Sequence, residues 1–204
     1  MHAEFSVELG PDADALELPW ASPDGAQRYF DLRSRPELLL EIPETRRNRA
    51  LGEFLAAINA PASPLLTVKC DTWTTDQITE EEKMYGAALK YASYIDLMFV
   101  DPQARLSTGE YEHFAKALCA LLGKAPEISA GAEFILRRCY IHPAPEKAGT
   151  SPGNGESLDG YCLTFYLSGF GDEDAEARQR WTIALKLVEN AILQLAARRV
   201  GQEW

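Results

Sequence analysis

Three stretches decide how this chain folds: Glu133-Phe-Ile-Leu-Arg-Arg-Cys-Tyr-Ile141, Tyr161-Cys-Leu-Thr-Phe-Tyr-Leu167, and the segment from Asp172 to Arg199. The first two are dense in aromatic and β-branched residues, side chains that fit a pleated, half-buried surface. The connection between them, Pro143 to Asp159, is rich in Gly, Pro, Ser and Glu, so together they predict a hairpin with a long, loose turn. The third stretch opens with Asp172, Glu173, Asp174 and Glu176, where a helix dipole is positive, and closes with Arg198 and Arg199, where it is negative. Between these ends Trp181, Ala184, Leu185, Val188, Ala191, Ile192 and Leu195 recur at spacings of three and four, which gives the helix one apolar face. That face requires a partner surface, and the hairpin offers one.

Upstream, the same order of elements recurs. Leu51, Phe54, Leu55 and Ile58 mark a helix that Pro61 stops, and Leu65 to Trp73 and Tyr91 to Val100 read as strands around a polar, acidic insert from Thr75 to Met84. Asp101-Pro102 ends the second strand. Ser107 or Thr108 caps a further helix carrying Tyr111, Phe114, Ala115, Leu118, Leu121 and Leu122 up to Gly123. The resulting order, α-β-β-α-β-β-α, is a weak internal pseudo-repeat displaced by about 65 to 70 residues. It predicts an α+β, two-layer fold: an antiparallel sheet made of two long hairpins, with helices packed on one face.

The first 33 residues break this pattern. Phe5 to Leu9 alternates as a short strand, Gly10-Pro-Asp-Ala-Asp14 is a turn cluster, and Leu16 to Trp20 is expected to return beside it as an edge strand containing Pro19. Arg28 to Leu32 reads as another short strand after the Ser22-Pro-Asp-Gly25 turn. Ser34-Arg-Pro-Glu37 has the spacing of a capping box for a short helix over Leu38 to Ile42, and a strand over Glu37 to Ile42 competes with that helix. The chain is therefore expected to be a single α+β domain over 1–204: an irregular β-rich arm at 1–33, a first helix–hairpin unit at 34–101, a second at 107–171, and the long helix at 172–199.

Composition narrows the partners. A net charge of -11 and a pI near 4.8 repel phosphate backbones and anionic lipid surfaces, so neither nucleic acid nor a membrane is an expected partner. The basic clusters at Arg46, Arg47 and Arg49, at Arg137 and Arg138, and at Arg198 and Arg199 sit among acids or at a helix end. No run reaches the roughly 18 to 20 apolar residues of a membrane span. The N-terminus carries acids where a secretory signal is basic, so a cytoplasmic location is expected. Cys70, Cys119, Cys139 and Cys162 form no CxxC pair and are expected to be free thiols acting as small hydrophobes.

Alternation along the strands sorts the sheet into two faces. Leu66, Val68, Cys70, Ile95, Leu97, Phe99, Phe134, Leu136, Leu163, Phe165 and Leu167 belong to the core side. The other side collects Lys69, Asp71, Trp73, Tyr94, Asp96, Met98, Glu133, Arg137, Cys139, Thr164, Tyr166 and Ser168. A solvent-facing sheet is polar for no functional reason, yet this one is rich in Tyr, Trp, Met and Arg, the residues enriched in contact surfaces. Trp73, Tyr94, Asp96, Arg137 and Tyr166 are the candidate binding residues, for a second copy of the chain or for a protein or small-molecule partner. Arg137 is also placed to form a cross-strand ion pair with Asp71 or Asp96.

Catalytic and metal motifs are weak. Cys139 and His142 are three apart, which on a regular strand points them to opposite faces, so no metal site is expected. Gly149 to Ser157 resembles a phosphate loop in composition but lacks its Lys and carries Glu156; no cofactor is expected. Two other uses compete with binding. One is an enzyme of unrecognised type acting on a small molecule through His142, Cys139 and Asp96; the other is a regulatory subunit that docks through an exposed apolar stripe on the C-terminal helix.

Overall fold

A computed structural model describes residues 1–142 and 158–200. Its strands are β1 (His2–Glu8), β2 (Ala15–Leu18), β3 (Leu65–Thr75), β4 (Leu89–Phe99), β5 (Ala130–Ile141) and β6 (Leu158–Gly171). The helices are α1 (Pro43–Arg47), α2 (Arg49–Ile58), α3 (Pro102–Arg105), α4 (Thr108–Leu122) and α5 (Asp174–Val200), with 3-10 turns at Pro36–Glu41 and Glu82–Tyr85. The phosphate-loop resemblance at Gly149 to Ser157 and most of the β5–β6 connection lie outside the described residues. So does the Arg199 side chain.

The described strands form one six-stranded sheet, ordered β1-β5-β6-β4-β3, with β2 also on β5. Both hairpins are present as antiparallel pairs, and β4 and β6 join them antiparallel at the centre. The sheet is nonetheless mixed rather than antiparallel, because β1 and β2 run parallel to β5. The arm also departs from the expected hairpin. β1 covers Gly131 to Arg137 and β2 continues along the same edge, against Arg138 to Ile141. β5 has 12 residues and β1 only 7, so the second segment satisfies the remaining edge of β5 instead of folding back.

Two other expectations in this region fail for local reasons. Arg28 to Leu32 forms no strand; an isolated bridge joins Ala21 and Arg28. Downstream, the Asp31 carboxylate accepts hydrogen bonds from the Arg33 and Ser34 backbone N–H groups (3.1 and 3.0 Å), the pattern of an Asx turn rather than of a strand. That turn engages Ser34, so no capping box forms: the 3-10 turn begins at Pro36 with no side-chain cap. Three helix starts are capped as their sequences dictate, α2 by Asn48, α3 by Asp101 and α4 by Ser107, each side chain accepting from backbone N–H groups of the first turn.

The main core lies between helices and sheet. Leu51, Phe54, Leu55 and Ile58 of α2, Tyr111, Phe114, Ala115, Leu118 and Leu122 of α4, and Trp181 to Ile192 of α5 cluster with Ile95, Leu97, Phe99, Phe134, Leu136, Leu163, Phe165 and Leu167. The apolar stripe of α5 is thus consumed by the core, with Ile183 and Leu193 left exposed. No helix among the described residues is long and apolar enough to cross a membrane.

α5 reaches the sheet most closely at Gly169. A methyl group there would stand 2.8 Å from the Trp181 Cα and closer still to the Trp181 N and the Ala177 carbonyl O. These are backbone atoms, which have no rotamer to yield. The approach lets the fully buried Trp181 indole donate to the Ser93 hydroxyl (2.9 Å) and meet the Tyr91 ring edge-on at 5.1 Å.

One assignment of faces fails. The β3–β4 register slips between Thr67 and Cys70, so Val68 and Lys69 together oppose the single residue Asp96, which is a β-bulge. Beyond it Cys70 joins the core, and Asp71 and Trp73 point away, as alternation predicts. Before it the phase inverts, and Leu66 and Val68 belong to a second cluster on the opposite side.

Gly169→Ala should therefore cost about 2 to 4 kcal/mol in urea unfolding, the size of severe overpacking. Gly52→Ala, on α2, meets only the Thr45 side chain at 3.5 Å and should stabilise by up to about 1 kcal/mol. Equal effects at the two sites would contradict the close-packed junction.

Candidate functional site

The sheet face opposite the main core is covered at both ends and open between them. At one end the arm lays Leu18 over Leu66, Val68, Met98, Cys139 and Cys162, with Leu16, Trp20, Tyr29 and Ile141 around them. The Trp20 indole N–H fastens the arm by donating to the Val68 carbonyl at the bulge (2.9 Å). At the other end the β3–β4 connection folds back, stacking Tyr85 on Phe170 with ring centroids 4.1 Å apart, and its Glu82 pairs with Lys90 (2.6 Å).

Between these covers the strand registers set the side chains in rows. Glu4, Glu133, Tyr166, Tyr94 and Asp71 lie side by side across β1, β5, β6, β4 and β3. Asp96 and Thr164 form part of the next row, and the Thr164 hydroxyl donates to an Asp96 carboxylate oxygen at 2.6 Å. Trp73, Tyr94 and Tyr166 make a continuous ladder, with successive centroids 6.3 and 6.2 Å apart. A cavity of about 360 Å³ sits over these rows, lined by Lys69, Tyr94, Asp96, Arg137, Thr164 and Tyr166 and rimmed by Asp14 to Leu16. That is within the size range of small-molecule sites.

No protein-family model, curated protein or solved structure matches this chain. Of the five candidate residues, Tyr94, Asp96, Arg137 and Tyr166 line this basin, and Trp73 stands beside it, lining a neighbouring cavity of about 300 Å³ that shares Tyr166. Arg137 forms neither of its expected ion pairs. Its guanidinium donates to Glu8 of β1 (2.9 and 3.1 Å) and to the Tyr166 hydroxyl (3.2 Å), because the parallel pairing of β1 sets Glu8 beside Arg137. Lys69 and Thr164 belong to the basin although they were only members of the sheet face in sequence; their signal is the cross-strand register with Asp96. The Asp14 to Leu16 rim had none.

The enzyme trio is dispersed. Cys139 is buried in the arm-covered cluster, its thiol pushed up to about 12 chiefly by burial, far from thiolate reactivity at neutral pH. His142 meets Glu17 of β2. Neither lines the cavity of Asp96. All four cysteines are free.

Asp96 is the unusual group. It is 6% exposed, and burial raises its pKa above the ordinary value against the opposing pull of the Thr164 hydrogen bond and of the Lys69 and Arg137 charges. Around it stand Lys69, Arg137, Tyr94, Tyr166, Cys162 and the rim acid Asp14. An acid whose folded pKa lies above its unfolded one holds its proton longer when folded, so its contribution to stability falls as pH rises from 3.8 through the folded value. Asp96→Asn removes that titration. The stability of the Asn variant relative to the parent should therefore grow with pH above 3.8 and then level off, as read by urea midpoints across the range. A difference that shrinks with pH would mean that Thr164, Lys69 and Arg137 together outweigh burial and lower the folded pKa.

Proposed function

We propose that this acidic chain is a cytosolic binding protein that holds a partner on the sheet face opposite its helices, with Tyr94, Asp96, Arg137 and Tyr166 at the centre of contact and Trp73 at its edge. The observation that carries this is a buried carboxyl at the floor of an open, aromatic-walled basin. A sheet that merely faced water would gain nothing by desolvating Asp96 there. The concave shape favours a small molecule, and the exposed Trp73 beside it gives a second copy of the chain or a protein partner a point of purchase. Four free thiols fit a reducing compartment.

We read the same face as the product of a duplicated helix–hairpin unit in a two-layer fold. Its support is the row Asp71, Tyr94, Tyr166, Glu133, in which each central tyrosine is flanked by an acid on the outer strand of its own hairpin. Under this reading the basin lies at the junction of the two units.

The test pairs Arg137→Glu with Tyr166→Ala. Sedimentation velocity reports self-association, and a thermal-shift screen of small polar metabolites reports ligands. A dimer or a ligand of the parent chain should weaken about tenfold or more in the double variant, with an unchanged circular dichroism spectrum. The proposal fails if the parent neither associates nor binds any compound, or if what it binds is indifferent to the double change.

A further inference from the structure

Asp96 and Lys69, an acid and a base, lie opposite one another across β3 and β4 and form no ion pair. The bulge aims Lys69 at the same face as Asp96, but its ammonium lies over the rings of Trp20 and Tyr94, 5.2 and 5.8 Å from their centroids. Among the described residues it forms no ion pair with a carboxylate. Asp96 gives one oxygen to Thr164. Its other oxygen has no protein donor among the described residues, and Asp96 lines the basin. Arg137 does not fill the gap, since its guanidinium is engaged by Glu8 and Tyr166.

A single-charge ligand answers only half of this arrangement. A simple anion on Lys69 would leave the basin-facing oxygen of Asp96 without a protein or ligand donor, and a simple cation on Asp96 would share the basin with Lys69, which no carboxylate pairs among the described residues. A molecule with both charges a few ångströms apart serves both ends, each through a charge-assisted contact in a site shielded by aromatic walls. We propose that the basin takes a small zwitterion of the α-amino-acid class, its carboxylate on Lys69 and its ammonium on the free oxygen of Asp96. This rests on the binding function above and names its ligand. No bond is made or broken, and the side chain of the ligand points out past Tyr94 and Tyr166.

Calorimetric titration of the full chain with the standard L-amino acids, each to about 10 mM, tests it without any variant. At least one should bind. Its N-acetyl derivative, which lacks the ammonium, and its amide, which lacks the carboxylate, should each bind about tenfold or more weakly. Lys69→Met should abolish the discrimination against the amide, and Asp96→Asn that against the N-acetyl form. Equal binding of either derivative overturns the proposal. If no amino acid binds, while another compound binds the parent and not the Arg137→Glu, Tyr166→Ala variant, the zwitterion is wrong and the binding face stands. If nothing binds and the chain does not self-associate, both are wrong.

Discussion

The contact on which this architecture depends is the one between a glycine and a helix backbone. Where β6 presents Gly169, α5 comes close enough that the Trp181 N and the Ala177 carbonyl occupy the space of an absent side chain. At that junction Trp181 is fully buried, with its indole N–H satisfied by Ser93. A buried Trp without such a partner would leave a donor desolvated, at a cost of about 1 to 3 kcal/mol. Ser93 lies on β4 and Gly169 on β6, so one helix pins the two strands that join the hairpins. The side chains on the far face of those same strands, Tyr94 with Asp96 and Thr164 with Tyr166, inherit their spacing from that clamp.

Burial on one face and chemistry on the other follow from the period of two along a strand, which is why both were legible. The hairpins, the three long helices and the residues flanking Tyr94 and Tyr166 all come from patterns inside single segments. What escaped depends on pairing between segments. β1 was expected to pair with its neighbour in sequence, but the unpaired edge of β5 was a better partner for both arm strands. That choice placed Glu8 on Arg137, and no property of either residue's own segment announces it. The missing cap at the 3-10 turn is a local matter instead: the Asp31 carboxylate takes the Ser34 backbone N–H, and the turn starts at Pro36 without a side-chain cap.

The bulge in β3 is a subtler case. A single extra residue between Thr67 and Cys70 inverts the phase of the strand, and alternation read from the C-terminal half assigns Leu66 and Val68 to the wrong side. The sequence hint is that Leu65 to Val68 is apolar or uncharged throughout, as befits a strand covered on both faces. Thr67 faces the core as a polar residue, where its hydroxyl accepts from the Asn59 amide (2.7 Å) and its backbone N–H donates back to Asn59 (3.1 Å).

The bulge also ties the arm to the site. By turning two consecutive residues to one face it gives Val68 to the apolar seat of the arm and Lys69 to the basin. Trp20 bonds the Val68 carbonyl at this same point and offers its ring to the Lys69 ammonium. The docked arm therefore supplies one of the two rings over which the Lys69 ammonium lies. The irregular N-terminal segment thus contributes to the basin twice, through the Asp14 to Leu16 rim and through the indole that shares the Lys69 ammonium with Tyr94 of the sheet.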